Sequence, residues 1–382
     1  EEFRRVPGWI QVYRAGLALA QGDVTGTLHH AGLAREHMAV GDHLGHGAAA
    51  GLQGLAMWAT GDLTAAHQFY VECMTNLLAA GYVSDALGCT ITMADIRIAQ
   101  GRLHDAMRHY LRGLELGGAG GGTPLRGTAD MLVGMCELAL ERNDVAAARE
   151  QLQAGEELGE FAGLPQNPYR RRVAQARICL AEGDAEGAIA QLDEAERVYM
   201  GDLSPNVRPI AAVRARVWAA EGRLAEAHAW ARERGLAAGD EVSYLREYEH
   251  ITLARVLMAR GRLEGEIDAL RAAADLLVRL LRAAEAGGRM GSAIEVLVLE
   301  ARLHQVQGDR AAALGALARA LALAEPQGYV RLFVDEGPPL VELLHAAAKE
   351  GTAPAYVARL LAAFGTDGGS AEEEVRLHRR EV

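Results

Sequence analysis

The sequence predicts an all-α protein, a right-handed superhelix (solenoid) of about eight antiparallel helix hairpins. Three observations carry this. Half of the 382 residues are hydrophobic but only 5% are aromatic, and the chain is dominated by Ala, Leu, Arg and Glu, all good helix formers. A short turn recurs at intervals of 39 to 47 residues, most of them close to 40, the signature of stacked helix pairs. Gly- and Pro-rich breakers fall between the units, at Gly117 to Pro124, Pro165 to Pro168, Ser204-Pro205 and Gly287-Gly288.

The turns read Gln21-Gly22-Asp23, Thr60-Gly61-Asp62, Gln100-Gly101-Arg102, Arg142-Asn143-Asp144, Glu182-Gly183-Asp184, Glu221-Gly222-Arg223, Arg260-Gly261-Arg262 and Gln307-Gly308-Asp309. Gly, or Asn at 143, suits the left-handed backbone that ends a helix. The Asp that follows caps the amides of the next helix, a cap that Arg102, Arg223 and Arg262 lack. Five residues past the turn centre stand Ala66, Ala106, Ala148, Ala188, Ala227 and Ala313, small enough for two antiparallel helices to approach closely. Thr27 and Glu266 break that rule, so the first and seventh hairpins are expected to be less regular. First helices are expected at 46–59, 84–99, 125–141, 168–181 and 243–259, and second helices at 63–79, 103–116, 185–199 and 263–285. The run Gly117 to Gly122 reads as a flexible linker: no strand precedes it and no Lys follows, as a phosphate loop requires. The organisation is a repeat domain over 1–325, a connecting segment over 326–364 and a polar tail over 365–382. In the connecting segment an apolar run, Val330 to Val334, leads into a turn and then into short helices at Leu340 to Lys349 and Ala355 to Phe364.

Composition excludes several functions. The net charge is −12, whereas phosphate backbones need a concentrated basic surface. Lys349 is the only lysine, and Glu350 follows it, so neither a Walker A loop nor a Schiff-base lysine can be placed. None of the five serines lies in a G-x-S-x-G elbow, and no enzymatic apparatus or cofactor is expected. Cys73, Cys89, Cys136 and Cys179 form no C-x-x-C pair and read as small apolar residues of a cytoplasmic protein. No signal peptide opens the chain and no run of 18 apolar residues spans a membrane. The start without Met suggests an excised or processed fragment. His29, His30, His37, His43 and His46 cluster without a completing Cys or carboxylate pair, so no metal is assigned.

Four stretches carry a family resemblance. Gly328-Tyr329-Val330-Arg331-Leu332-Phe333-Val334-Asp335-Glu336-Gly337-Pro338-Pro339 resembles the segment that closes the sensor region of MalT-like, LuxR-type ATP-dependent transcription regulators. Trp58-Ala59-Thr60-Gly61-Asp62-Leu63, Ala94-Asp95-Ile96-Arg97-Ile98-Ala99-Gln100-Gly101-Arg102-Leu103 and Ser243-Tyr244-Leu245-Arg246-Glu247-Tyr248-Glu249-His250 fit the same family. The resemblance covers roughly residues 5–364. It implies a tetratricopeptide-like (TPR-like) sensor that lies between an N-terminal STAND-type ATPase and a C-terminal DNA-binding helix-turn-helix; in the founding member this sensor binds an oligosaccharide. No Walker motif precedes residue 5 and no helix-turn-helix pattern follows Phe364. ATP and DNA binding are therefore expected of a parent protein and not of these residues.

A curved stack of hairpins offers its inner groove to ligands. The candidate site is Trp58, Tyr70, Asp95, Arg97, Arg126 and Asp130, an aromatic plane with Asp and Arg partners suited to a small polar inducer such as a sugar. Trp58, Asp95, Arg97 and Arg126 are expected to converge around hairpins two to four. The competing expectation is an inter-repeat core role for Trp58 and intramolecular pairing for Asp95 and Arg97. A second set is Tyr244, Arg246, Glu247, Tyr248 and Glu249, with the two tyrosines on one face, either as a stacking platform or packed against Trp218 or Trp230. The rival to a small-molecule sensor is a scaffold whose groove takes a peptide or partner protein. A compact pocket with paired Asp and Arg beside an aromatic favours the former, and a long apolar or single-sign groove the latter.

Overall fold

The computed structural model describes residues 2–118, 123–201 and 203–367. Sixteen helices form eight hairpins in chain order: α1 (Glu2–Ala20) with α2 (Val24–His37), α3 (His43–Thr60) with α4 (Leu63–Ala79), α5 (Val83–Ala99) with α6 (Leu103–Leu116), α7 (Thr128–Glu141) with α8 (Val145–Glu157), α9 (Asn167–Ala181) with α10 (Ala185–Arg197), α11 (Ile210–Ala220) with α12 (Leu224–Glu233), α13 (Glu247–Leu263) with α14 (Ile267–Ala286), and α15 (Met290–Gln307) with α16 (Arg310–Ala324). Then come α17 (Arg331–Val334), α18 (Pro338–Lys349) and α19 (Pro354–Asp367). No strand occurs among the described residues, and none of the helices is long and apolar enough to cross a membrane. Most of the Gly117 to Gly122 linker, and the tail from 368 on, lie outside the described residues.

The turns are built as their chemistry requires. Their central residues are left-handed, with φ between 63° at Asn143 and 84° at Gly61. The amide after the centre bonds back to an otherwise orphaned carbonyl, as from Asp62 to Met57 (3.1 Å) and from Asp184 to Cys179 (2.9 Å). Asp23, Asp62, Asp144, Asp184 and Asp309 each accept the amide three residues on at 2.8–3.0 Å, a cap worth about 1 kcal/mol. Arg102 and Arg223 give no side-chain cap. The six alanines five residues past the turns are fully buried.

The seventh hairpin corrects the sequence reading. Gly261 is helical and buried inside α13, and the turn sits four residues later, at Gly265 (φ 73°). The reason is packing. Counted from Gly265, the position that elsewhere holds Ala is Leu270, and Leu270 packs into the space left by the missing side chain of Gly261. The small residue has moved to the opposite helix. The expected first helix at 243–259 is likewise shifted: Tyr244–Arg246 form a single 3-10 turn and α13 starts at Glu247. The run Val330 to Val334 belongs to one helical turn, α17, with Phe333 fully buried edge-on to Tyr356 of α19 at 6.0 Å.

The superhelix closes on itself. The 3-10 turn Tyr244–Arg246 touches α3, α15 touches α5, and α17 touches α7. The chain thus passes over the tips of hairpins two, three and four a second time, about five hairpins later. A Cβ on Gly61 would meet Tyr244 Cβ at 3.0 Å, and one on Gly101 would meet the backbone nitrogen of Gly291 at 3.0 Å. Asn143 Oδ1 accepts from Arg331 Nη1 at 2.9 Å, and the carbonyl of Glu141 accepts from Val330 N at 2.9 Å.

Candidate functional site: the charged inner face

First helices form the inner layer of the coil. Successive first helices touch (α1 to α3, α5 to α7, α7 to α9, α11 to α13, α13 to α15), and no second helix of the eight hairpins touches the next second helix comparably. One register position follows this layer. Six residues before the turn centres stand Gly16, Leu55, Asp95, Glu137, Arg177, Arg216, Ala259 and Arg302. From the third hairpin on, all but Ala259 are charged.

Several of these side chains pair with charged residues on other first helices. Asp95 Oδ1 accepts from the Tyr110 hydroxyl at 3.3 Å and lies 3.8 Å from Arg170 Nη2. Arg177 Nη2 donates to Glu141 Oε2 at 3.2 Å, and Glu141 Oε1 also accepts from Leu332 N. Glu295 is clamped by Arg216 at 2.7 Å and Arg255 at 2.9 Å, and Arg255 reaches Glu336 at 2.6 Å. The Arg216 guanidinium lies 3.6 Å from the centroid of the Tyr248 ring, a cation–π stack. Burial raises the carboxyls of Asp95 and Glu141, with Arg170 and Arg177 opposing. Burial would also raise Glu295, but Arg216 and Arg255 outweigh it and hold the carboxyl below its usual range. Two groups stand apart. Arg208, just before α11, is exposed and makes no ion pair or hydrogen bond with the described residues; its guanidinium lies 5.8 Å from the centroid of the Tyr248 ring. Glu137 likewise has no ion pair with them. A cation held only against an aromatic face and an anion without an ion pair therefore face one lumen, between ion pairs already satisfied.

Of the residues singled out in the sequence, Asp95 lines this lumen and the others lie elsewhere. Trp58 (4% exposed) and Tyr70 (6%) belong to the core between hairpins two and three, and the Trp58 indole donates to the Tyr244 hydroxyl at 2.9 Å. Arg97 is two residues from Asp95 and so about 200° around the helix. It bonds Gln100 at 2.8 Å and touches His67 and Asp105. Arg126 is exposed on the loop before α7. Asp130 is fully buried and anchors the next connection by accepting from Leu164 N at 2.8 Å. The expected convergence of Trp58, Asp95, Arg97 and Arg126 is not formed. Tyr244 and Tyr248 also part company, because the helix begins only at Glu247. Tyr244 meets the coil below, whereas Tyr248 enters the lumen and packs on the core that holds Trp230. Glu247 pairs with Arg289 at 2.7 Å as a buried strut, and the buried Glu249 pairs with the more exposed Arg234 and Arg246. His30, His37, His43 and His46 each bond a separate partner, and among the described residues no metal-holding group of His, Cys, Asp or Glu assembles. The missed residues, Glu137, Arg177, Arg216 and Arg302, share the Asp95 register. That register was the signal available in the sequence.

A family model for the MalT-like TPR region matches residues 8–350. The chain belongs to the MalT-like TPR family. Its solved-structure neighbours include a Rap protein complexed with competence and sporulation factor, with a TM-score of 0.57 and 10% identity over 84% of this chain and 87% of that one. The apo form of RapI has a TM-score of 0.44 and 10% identity over 83% and 86%. At such identity the first of these shows a shared solenoid fold. A comparison with curated proteins finds no match. The repeat domain is thus a MalT-like helical-repeat region.

Proposed function

We propose that this MalT-like repeat domain is a non-catalytic sensor that binds a small polar molecule, such as a sugar, in its charged lumen, within a transcription regulator whose ATPase and DNA-binding modules lie outside these residues. The observation that carries the reading is the mixed-sign lining around Tyr248, with Arg208 and Glu137 outside any described ion pair. Paired Asp, Glu and Arg beside an aromatic face suit a compact polar ligand, which satisfies donors and acceptors together. A single-sign groove, which would suit a charged peptide, is not what the lumen offers. Binding acts by population shift: a ligand that bridges α7, α11 and α13 better in one curvature favours that curvature.

The test is a thermal-shift screen over sugars, nucleotides and other polar metabolites, followed by calorimetry with Glu137→Gln and Arg208→Gln. Neither side chain supports a described ion pair, so both variants should fold. Loss of a charge-assisted contact should weaken binding by about 1.5–3 kcal/mol, roughly ten- to hundredfold. A ligand indifferent to both substitutions would place the site elsewhere.

A further inference from the structure

The charged register has an apolar end. At the same position hairpins one and two carry Gly16 and Leu55. There α1 presents Val6, Ile10, Tyr13 and Leu17 to solvent, 75% exposed at Tyr13 and 60% at Leu17. Tyr13, Gly16, Leu17, Leu52 and Leu55 line an open groove of about 630 Å³ that Leu203 flanks on another side. Leu203 comes from the connection between hairpins five and six, five residues before Arg208. Five residues of chain span at most about 18 Å. One connection therefore touches both the apolar groove and the unpaired guanidinium of the polar lumen.

We infer that the concave face takes a single-chain amphiphile, with its hydrocarbon segment in the α1/α3 groove and an anionic head on Arg208. This rests on the polar-lumen reading and extends it by naming the ligand class. Two physical arguments favour it. Arg208 makes no ion pair with the described residues and touches only the face of the Tyr248 ring, so an anionic head displaces no ion pair. The groove is also lined by apolar residues (the Tyr13 hydroxyl apart), so it offers an extended peptide no backbone partners, whereas a hydrocarbon chain needs none.

The experiment is calorimetry with octanoate, decanoate and 1-decanol, below micelle formation, on the parent, Arg208→Gln and the doubly substituted Tyr13→Ser/Leu17→Ser. Both substituted side chains of the last variant are largely solvent-exposed, so it should fold; circular dichroism checks this. Affinity should rise roughly two- to fourfold per added methylene. Arg208→Gln should weaken decanoate ten- to hundredfold and leave 1-decanol unchanged, and Tyr13→Ser/Leu17→Ser should weaken both. Decanoate binding that ignores Arg208, or that shows no chain-length dependence, overturns the inference. So does a groove that refuses decanoate at millimolar concentration but binds an amphipathic helical peptide in a Tyr13-dependent manner. A sugar or nucleotide whose binding depends on Arg208 but not on Tyr13 overturns the amphiphile while leaving the polar-lumen reading intact.

Discussion

The turns at Gly183 and Gly101 have nearly the same backbone, with φ of 80° and 75°, and occupy the same place in their hairpins. A Cβ at Gly183 would meet open space, whereas one at Gly101 would meet Gly291 and Met290 of the overlying coil at 3.0 Å. The first turn of the pair needs glycine only for its conformation. The second needs it also for room. Turns one and five are of the first kind, and turns two and three of the second. Local chemistry therefore builds these turns alike, and the closure of the superhelix adds a separate demand on a few of them.

Substitutions separate these two demands. The largest effect is expected at Trp58, which fills the core of hairpin two and also bonds Tyr244. Trp58→Ala should cost about 3–5 kcal/mol in urea unfolding. Trp58→Phe keeps most of the packing and should cost about 1 kcal/mol from the lost hydrogen bond; equal losses would mean that the contact between coils dominates. Next, Gly183→Ala should cost about 1–2 kcal/mol for its left-handed backbone. Gly101→Ala should cost about 1–3 kcal/mol more, because it crowds the overlying coil. Matching values would break the comparison.

Acid and alkali should probe the two regions separately. Burial, then Arg97 and His109, lower His67 to about 4 at the seam between hairpins two and three. Between roughly pH 6.5 and 4 the unfolded chain takes up a proton that the folded one refuses. Stability therefore falls as acid is added, by at most about 3 kcal/mol, and His67→Asn should flatten that decline in unfolding midpoints. Burial raises the Tyr244 phenol to about 12 in the contact between coils. Its contribution is whole below pH 10 and is lost as pH climbs towards 12, again by at most about 3 kcal/mol. Tyr244→Phe should remove that alkaline decline. The smallest expected effect is a control: Asp62→Ala and Asp184→Ala each remove a local cap and should cost about 1 kcal/mol alike, although only hairpin two lies under the second coil.

The hairpins were readable because each is made by short-range chemistry: a left-handed centre, a capping Asp and a small residue five positions on. The seventh was misplaced because Gly261 and Gly265 are indistinguishable in isolation. Only the neighbouring volume of Leu270 decides which one ends the helix. The candidate site was half readable for a related reason. Asp95 and Arg97 are both charged residues on one helix, and the choice between them depends on which face the stacked first helices turn inward. Counting back six residues from correct turns recovers Glu137, Arg177, Arg216 and Arg302. Arg208 lies outside any helix, where no register applies. The pairing of Trp58 with Tyr244, 186 residues apart, sums many small inter-hairpin rotations that no single segment encodes.

In an open solenoid each repeat leans only on its neighbours, so losing the last unit leaves distant ones unharmed and unfolding spreads by unzipping from an end. The seating of α17 on α7 and of α15 on α5 changes that arithmetic. Hairpins two to four are roofed by parts of the chain synthesised some 190 residues later, so the two halves of the coil stand or fall together. The molecule behaves less as a spring than as a closed bracelet. Its pitch is held where the coils touch, so a change of curvature has to be shared by both halves of the coil.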